Sequence, residues 1–407
     1  MSKRDSKLQG DRPLDEKGVD RLGFETLASE LAGALASRAA TSGMVIGLEG
    51  KWGSGKSSLI HLISAHMAKL EEQSRPYVLH FKPWLIGSRD ALITAFFDDL
   101  SKMINQIKLQ GGDATGVTIE KTKRISEELR RYAGYVGMLA PAASLASILS
   151  VPGGELANQL LKGMKRFSKN KDSDKPTLDS LKNHIEGALA SLPNPIIVFV
   201  DDVDRLDPDE IVELLRLVRS VADFPNVTYV LCYDTEIVSQ AISTALKVNS
   251  GPAYLEKIFQ MTVRVPEPEP FALRKMFEQD LSQIIDITDE LQLARVSSII
   301  DLQGGRYLAT PRMVNRTLDA IRFIYPILNL KVDFADCLWI TLVRLNNSAL
   351  YQWIEQYLGS MSAISTGRVT VTSESAEQSY AELKSILEFV DDKDFLRKMR
   401  ELGQLYT

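Results

Sequence analysis

The stretch that decides the fold is GLEGKWGSGKSSLI, at residues 47–60. It fits the phosphate-binding pattern G-x-x-x-x-G-K-[ST]. The defining positions are Gly50, Gly55, Lys56 and Ser57. A loop of this kind follows a buried strand and opens a helix. An apolar run at 44–48 predicts that strand, and helically spaced apolar residues at 59–70 predict that helix. This context favours a phosphate-binding loop over a glycine-rich turn before an ordinary helix.

The residue types of the loop match the chemistry of phosphate binding. Glycines let the backbone curl so that successive N–H groups point at anionic oxygens, and the helix N-terminus adds a partial positive charge. Lys56 would contact the β- and γ-phosphates, and Ser57 would bind Mg²⁺ through its hydroxyl. Trp52 is unusual here, and we expect its side chain to pack outward on a neighbouring element rather than touch the nucleotide. The predicted nucleotide-binding residues are Gly50, Lys51, Trp52, Gly53, Ser54, Gly55, Lys56, Ser57 and Ser58.

Composition limits the class of protein. A chain of 407 residues can form one large domain and a smaller second one. The net charge of −5 gives no overall excess of positive charge, as a dedicated nucleic-acid binder would have. Two cysteines, Cys232 and Cys337, do not make a disulfide framework, and the N-terminus is polar rather than a signal peptide. These features predict a cytoplasmic protein.

Five short apolar runs predict strands, and helical patterns separate them, which indicates a parallel sheet with helices on both faces. The predicted strands are 44–48, 77–81, 196–200, 228–232 and 261–265. A stiff proline-rich connector, PEPEP, follows the last strand at 266–270. The predicted domains are a polar tail at 1–20, a core at 21–84 and 191–268, a helical insertion at 85–190, a helical lid at 269–358 and a C-terminal helical extension at 359–407.

A second motif, IIVFVDDVDRL at 196–206, has the Walker B pattern of an apolar strand followed by acids. Asp201 would lie at the carboxyl edge of the sheet and hold Mg²⁺ through water. Asp202 comes next along the strand, so its side chain would point to the other side. A carboxylate in that position could orient the attacking water. An acidic turn after a strand is the alternative. Asp204 and Arg205 could form an ion pair that fixes the turn, or could act at a subunit contact.

Two further segments supply candidate catalytic groups. Asp234, at the end of TYVLCYD, is either a sensor that contacts the γ-phosphate or water, or the N-cap of the helix that follows. The stretch GGRYLATPRMVNRTL places Arg312 and Arg316 on one helix face just after Pro311. A cation there could reach the phosphates from a helical lid, and a solvated arginine face is the alternative.

These residues resemble the KAP family of P-loop NTPases over about residues 20–350. The resemblance lies in WGSGKSS, FKPW, VDDVDRL, CYDTEIV, YLEKIFQ and TPRMVNR. It implies ATP as the nucleotide, a strand order of 5-1-4-3-2, a helical lid, and paired Walker B aspartates at Asp201 and Asp202. It also implies a place in bacterial phage-exclusion or anti-phage operons, usually as the ATPase partner of other effectors.

One uncharged segment of 23 residues, at 132–154, is long enough to span a bilayer, and family members often carry transmembrane helices between the two Walker motifs. A single crossing would place Lys56 and Asp201 on opposite sides of the membrane, although both must reach one Mg²⁺–nucleotide. Two crossings need about 20 residues each. We therefore expect a buried or interface helix pair without integral membrane insertion, with peripheral membrane contact as the alternative.

The sequence thus predicts an α/β P-loop NTPase that binds a nucleotide with Mg²⁺ and hydrolyses it as a switch or assembly engine. The resemblance implies that the nucleotide is ATP and that the role lies in anti-phage defence. The predicted catalytic residues are Asp202, Asp234 and Arg312, and the predicted metal ligands are Ser57 and Asp201. Protein partners from the same operon and a homo-oligomer are expected. The alternatives are a non-hydrolysing nucleotide-gated scaffold and a DNA-stimulated ATPase that uses the basic run at 162–175.

Overall fold

The structure is a computed structural model that describes residues 10, 20–37, 43–86, 89–110, 116–139, 178–328, 332–365 and 373–386. Within this part of the chain, residues 20–266 belong to one compact unit and residues from 267 onward belong to another. The predicted basic run at 162–175 and nearly all of the predicted polar tail lie outside the described residues.

The first unit is built on a five-stranded sheet in which every pairing is parallel. The strands are β1 Met44–Glu49, β2 Tyr77–Phe81, β3 Ile196–Val200, β4 Val227–Tyr233 and β5 Met261–Arg264. Their order across the sheet is β2-β3-β4-β1-β5. Read from the other edge this is 5-1-4-3-2, so the predicted topology is confirmed.

Helices and short turns connect these strands. In the first unit the described helices are α1 Glu25–Ala36, α2 Lys56–Ala68, α3 Arg89–Gln110, α4 Gly116–Leu139, α5 Leu178–Ala190, α6 Pro208–Arg216, α7 Thr235–Leu246 and α8 Gly251–Ile258. Two short 3-10 turns follow β2 and β3, at Pro83–Leu85 and Val203–Arg205.

Both faces of the sheet are covered, which explains why its strands read as continuous apolar runs. In β3 every residue is buried. Ile197 and Phe199 pack on the face that also holds residues of α1 and α2. Ile196 and Val198 pack on the opposite face, in a core that includes residues of α3, α4, α5 and α6.

The described helices of the predicted insertion share this second core. Phe97 of α3 meets the Tyr132 ring of α4 edge to face, with centroids 5.5 Å apart. The Tyr132 hydroxyl donates to the backbone carbonyl of Val221 at 3.0 Å. Tyr132 and Ala133, which begin the uncharged segment, are therefore core residues, whereas residues 140–154 lie outside the described part. No described helix combines the length and the apolar character that a membrane crossing requires.

The described elements of the second unit are helices, as the pattern beyond the connector predicts. They are α9 Pro270–Ile284, α10 Glu290–Tyr307, α11 Pro311–Leu328, α12 Phe334–Asn346, α13 Ser348–Ser365 and α14 Ser373–Ile386. Helix α11 starts at Pro311, where a proline needs no backbone partner. It buries Val314, Leu318 and Ile321, which recur at helical spacing.

Candidate functional site

The predicted phosphate loop lies between β1 and α2. β1 ends at Glu49 and α2 begins at Lys56, so the loop opens a helix at the carboxyl end of a buried strand. The Gly50 amide donates to the Tyr233 carbonyl at 3.1 Å, which joins the start of the loop to the end of β4. The loop therefore begins at the edge of the sheet where nucleotides bind in folds of this type.

The backbone of the loop requires glycine at several points. Gly53 and Gly55 have φ values of 82° and 100°, in the left-handed region that favours glycine. At Gly50, a Cβ would lie 2.6 Å from the Ser54 hydroxyl oxygen. A side chain there would fill the turn, so the glycine keeps the concave side of the loop open.

Lys56 is almost completely buried beneath this loop. Its ammonium donates to the carbonyls of Gly50 and Lys51, at 2.8 and 3.3 Å. It also donates to Asp204 Oδ2 at 3.2 Å, and the two side chains are only 8% and 4% exposed. The Lys56–Asp204 contact joins the phosphate loop to the segment after β3.

The sequence pattern predicts Arg205, and not Lys56, as a possible partner of Asp204. Asp204 pairs neither with Arg205 nor, among the described residues, with any basic side chain other than Lys56. The available signal was the spacing of Asp201 and Asp204, since a helical turn brings residues three apart onto one face. The 3-10 turn Val203–Arg205 supplies such a turn after β3.

The Walker B aspartates follow β3 directly. The Asp201 amide donates to the Phe81 carbonyl at 3.2 Å, so the ladder with β2 continues one residue beyond the strand. Asp201 Oδ1 accepts the Asp202 amide at 2.9 Å. Asp202 has φ 60° and ψ 33°, in the left-handed region. Strand alternation therefore does not set the direction of the Asp202 carboxylate, because residue 202 lies in a turn and not in β3.

Asp202 is held by a basic side chain. Arg205 Nε lies 2.8 Å from Asp202 Oδ1. The Arg205 guanidinium lies 5.4 Å from the ring centroid of Trp84, within cation–π range. Partial burial and, to a lesser degree, the neighbouring Asp201 charge raise the pKa of the Asp202 carboxyl, while Arg205 opposes the rise. Trp84, from the FKPW motif, and Arg205, from the Walker B motif, thus meet beside the predicted catalytic carboxylate.

Asp234 connects the phosphate loop to β4 and α7. Its Oδ1 accepts the Glu236 amide at 3.1 Å, as an N-cap does. Its Oδ2 accepts the Trp52 amide at 3.0 Å. The N-cap role is therefore present together with a contact to the loop, and the sensor role toward a γ-phosphate stays a prediction. Trp52 is 57% exposed, so more than half of the residue faces solvent and the expected packing on a neighbouring element is at most partial.

A further carboxylate, Glu49, ends β1 immediately before the loop and was not among the predicted residues. Its Oε1 accepts the Tyr233 hydroxyl at 2.9 Å, and its Oε2 lies 3.6 Å from Arg264 Nε. Burial, followed by the bond to Glu49, raises the pKa of Tyr233 well above its usual range. The only hint in the sequence was an acid at the end of an otherwise apolar strand.

The donors and acceptors of the site fit a phosphate group with Mg²⁺. The Ser54 hydroxyl is buried within the loop and has no hydrogen-bond partner among the described residues. The Lys56 ammonium and the amides of a glycine-rich loop favour an anion. The Asp201 carboxylate and the Ser57 hydroxyl are hard oxygen ligands of the kind that Mg²⁺ takes.

The remaining predicted site residue belongs to the second unit. Arg312 is half-buried in the first turn of α11, and Arg316 is exposed one turn later. The phosphate loop belongs to the first unit. A catalytic role of Arg312 stays a prediction.

The cysteines do not add reactive groups to the site. Cys232 and Cys337 are both free and buried. Burial raises the pKa of the Cys232 thiol well above its usual value. Cys232 therefore stays protonated near neutral pH and packs as a small apolar side chain on the α1–α2 face of the sheet.

Comparison with solved structures yields distant likenesses, which include the following three. The ORC1 protein of Aeropyrum pernix in complex with DNA is 12% identical, with a TM-score of 0.39 over 95% of this chain and 83% of that one. The ORC2 protein of the same organism, in ADPNP–ADP complexes, is 15% identical, with a TM-score of 0.38 over 99% and 90%. Cdc6p of Pyrobaculum aerophilum is 12% identical, with a TM-score of 0.41 over 95% and 87%. Likenesses this distant assign no function.

Comparison of sequences gives the family. The chain is 32% identical over 368 residues to the phage T7 exclusion protein of Escherichia coli (strain K12). That match covers 88% of this chain and 49% of the relative, so the chain spans about half the length of the curated relative it matches. The KAP family P-loop domain matches residues 24–328, which include the phosphate loop, the Walker B segment and Arg312. The chain therefore belongs to the KAP family of P-loop NTPases.

Proposed function

We propose that the protein binds Mg²⁺–ATP between the phosphate loop and the Asp201–Asp202 edge, and hydrolyses it. The observation that carries this proposal is the buried Lys56–Asp204 contact at 3.2 Å, which brings the loop and the Walker B segment together. The Ser54 hydroxyl, which lacks a hydrogen-bond partner among the described residues, lies in the same loop and supports a phosphate ligand there.

Each residue would have a defined task. Lys56 and the loop amides would bind the phosphates, and the Ser54 hydroxyl would gain a hydrogen-bond partner, which no described residue supplies. Ser57 and Asp201 would hold Mg²⁺, which neutralises charge on the phosphates when bound. Asp202 would orient the attacking water for in-line displacement, and Arg312 would supply a further positive charge. Asp234 would set the position of the loop through the Trp52 amide.

A second candidate is a nucleotide-gated scaffold that binds without hydrolysis. The observation in its favour is the 2.8 Å contact between Arg205 and Asp202, which engages the carboxylate that hydrolysis needs. Turnover would then require Arg205 to release Asp202. Binding of ATP without Mg²⁺-dependent phosphate release would select the scaffold.

The two Walker B aspartates give the direct test. We expect Asp201→Asn to weaken Mg²⁺-dependent ATP binding, because it removes a charged ligand of the metal. We expect Asp202→Asn to keep binding and to lose turnover by about 10²-fold or more, the scale of general acid–base catalysis. Calorimetry measures the binding and phosphate release measures the turnover. Asp209→Asn, an exposed acid in the first turn of α6, is the control.

The proposal would be wrong if the wild-type protein bound no ATP in the presence of Mg²⁺. The division of roles would be wrong if both variants lost binding equally, or if neither lost turnover.

For the biological role, we propose a switch or assembly engine in anti-phage defence, acting in the cytoplasm with partner proteins from the same operon and as a homo-oligomer. The support is the likeness to a relative whose name states phage T7 exclusion. Phage plating on cells with the intact operon, compared with the same operon carrying Asp202→Asn, tests this role. Equal plating efficiency in both strains would contradict it.

A further inference from the structure

Three acceptors among the described residues surround the Lys56 ammonium. An ammonium carries three N–H groups. The described acceptors around it are the Gly50 carbonyl, the Lys51 carbonyl and Asp204 Oδ2. A phosphate oxygen must therefore displace one of these acceptors before Lys56 can bind it.

Asp204 is the acceptor that a phosphate replaces most directly. The two carbonyls belong to the loop that carries Lys56, whereas Asp204 lies 148 residues away in the chain and carries the same sign of charge as phosphate. Exchange of a carboxylate oxygen for a phosphate oxygen keeps an anion on the ammonium. It also leaves Asp204, whose side chain is 4% exposed, as a buried carboxylate without its cation.

An uncompensated buried charge strongly destabilises the state that contains it. A phosphate that enters alone would add negative charge next to Asp204 and so increase this penalty. A divalent cation that enters with the phosphate offsets both charges. We infer that Asp204 competes with phosphate for Lys56 and thereby makes nucleotide binding depend on Mg²⁺, an inference that rests on the proposed function.

The test compares nucleotide affinity with and without the metal. A non-hydrolysable ATP analogue is titrated calorimetrically into the wild-type protein and Asp204→Asn, once in EDTA and once in Mg²⁺. Asparagine keeps an oxygen for Lys56 but removes the competing charge. We expect metal-free affinity to rise about tenfold or more, since hydrogen bonds to charged groups contribute net free energies of that order. We expect affinity in Mg²⁺ to change less, so that the ratio of the two affinities falls.

Asp209→Asn is the matched control, because it removes one negative charge five residues along the chain from an exposed side chain. It should leave both affinities unchanged. A gain in affinity is a useful signature, since general damage to the fold lowers affinity. If Asp204→Asn does not fold, as judged by its thermal unfolding, Asp204→Ser removes the same charge with a smaller side chain and gives the same comparison.

The outcomes separate this inference from the proposed function. Wild-type protein that binds no analogue even in Mg²⁺ overturns both. Wild-type protein that binds, with Asp204→Asn unchanged or weaker in EDTA, overturns the inference and leaves the proposed function standing. An equal gain for Asp209→Asn would also overturn it, because the effect would then come from net charge and not from Lys56.

Discussion

At the scale of single residues, the site is held together by charges that lie out of water. Lys56 and Asp204 are almost completely buried and compensate each other at 3.2 Å. A buried ion pair contributes little net stability, because desolvation offsets the attraction, but loss of one partner leaves the other uncompensated. We therefore expect Lys56→Ala, the usual substitution in a phosphate loop, to change the free energy of unfolding of this protein as well as its affinity for nucleotide.

We expect Lys56→Ala to lower the free energy of unfolding by about 3–5 kcal/mol, the usual effect of removing one member of a buried pair. We expect the double variant Lys56→Ala, Asp204→Asn to recover part of this loss, since the isolated carboxylate is then gone. Denaturant unfolding of the wild type, both single variants and the double variant measures the coupling. Additive losses would show that the two side chains do not compensate each other.

At the scale of helices and strands, Asp234 directly follows β4 and contacts both the phosphate loop and α7. Asp234 accepts one amide from α7 and one from the loop, at 3.1 and 3.0 Å. Ser250, the N-cap of α8, accepts the Ala253 amide at 3.3 Å and, among the described contacts, none from the loop. The two caps therefore differ in the one feature that bears on nucleotide binding.

We expect Asp234→Ala and Ser250→Ala each to lose about 1 kcal/mol of stability, the typical effect of deleting an N-cap side chain. Only Asp234→Ala should also weaken ATP binding, because it removes the carboxylate that accepts the Trp52 amide and so holds the phosphate loop. Thermal unfolding and calorimetric titration of both variants make the comparison. Equal ATP affinities in the two variants would show that Asp234 acts only as a helix cap.

The elements differ in how far the sequence predicts them. The strands could be predicted because buried parallel strands are continuous apolar runs, although their ends move by a residue, as in β4, where hydrogen bonding and not hydrophobicity ends the strand. The phosphate loop could be predicted because its requirements are local. The Lys56–Asp204 and Trp52–Asp234 contacts could not, since they join residues 148 and 182 positions apart. The left-handed turn at Asp202 has only a weak signal in the residue type, since aspartate adopts this conformation more often than most residues but usually does not.

At the scale of the whole molecule, the nucleotide site and its proposed arginine belong to different compact units. The phosphate loop and both Walker B aspartates lie in residues 20–266, and Arg312 lies beyond residue 267. P-loop NTPases often complete their site with an arginine supplied from outside the phosphate loop, within the same chain or from a neighbouring one. Pro311 sets the start of α11 and so gives Arg312 a short, fixed attachment.

We expect Arg312→Ala to lower turnover by about 10³-fold or more, the scale seen for arginines supplied in this way, while ATP affinity changes less. Arg316→Ala is the matched control, because Arg316 is exposed one turn further along the same helix and its loss should have a smaller effect. Phosphate release at saturating ATP measures turnover, and calorimetry measures affinity.

The concentration dependence of turnover then decides which chain supplies the arginine. If Arg312 acts within its own chain, the residual activity per chain of the variant should not change with protein concentration. If a neighbouring chain supplies it, a mixture of Arg312→Ala with the double variant Lys56→Ala, Asp204→Asn, which lacks the phosphate-binding lysine, should regain activity. In such a mixture one chain still has an intact phosphate loop, and the other still has the arginine.

Wild-type turnover of Arg312→Ala at every concentration would remove Arg312 from the site. Arg205 would then be the next candidate, since it already lies 2.8 Å from Asp202.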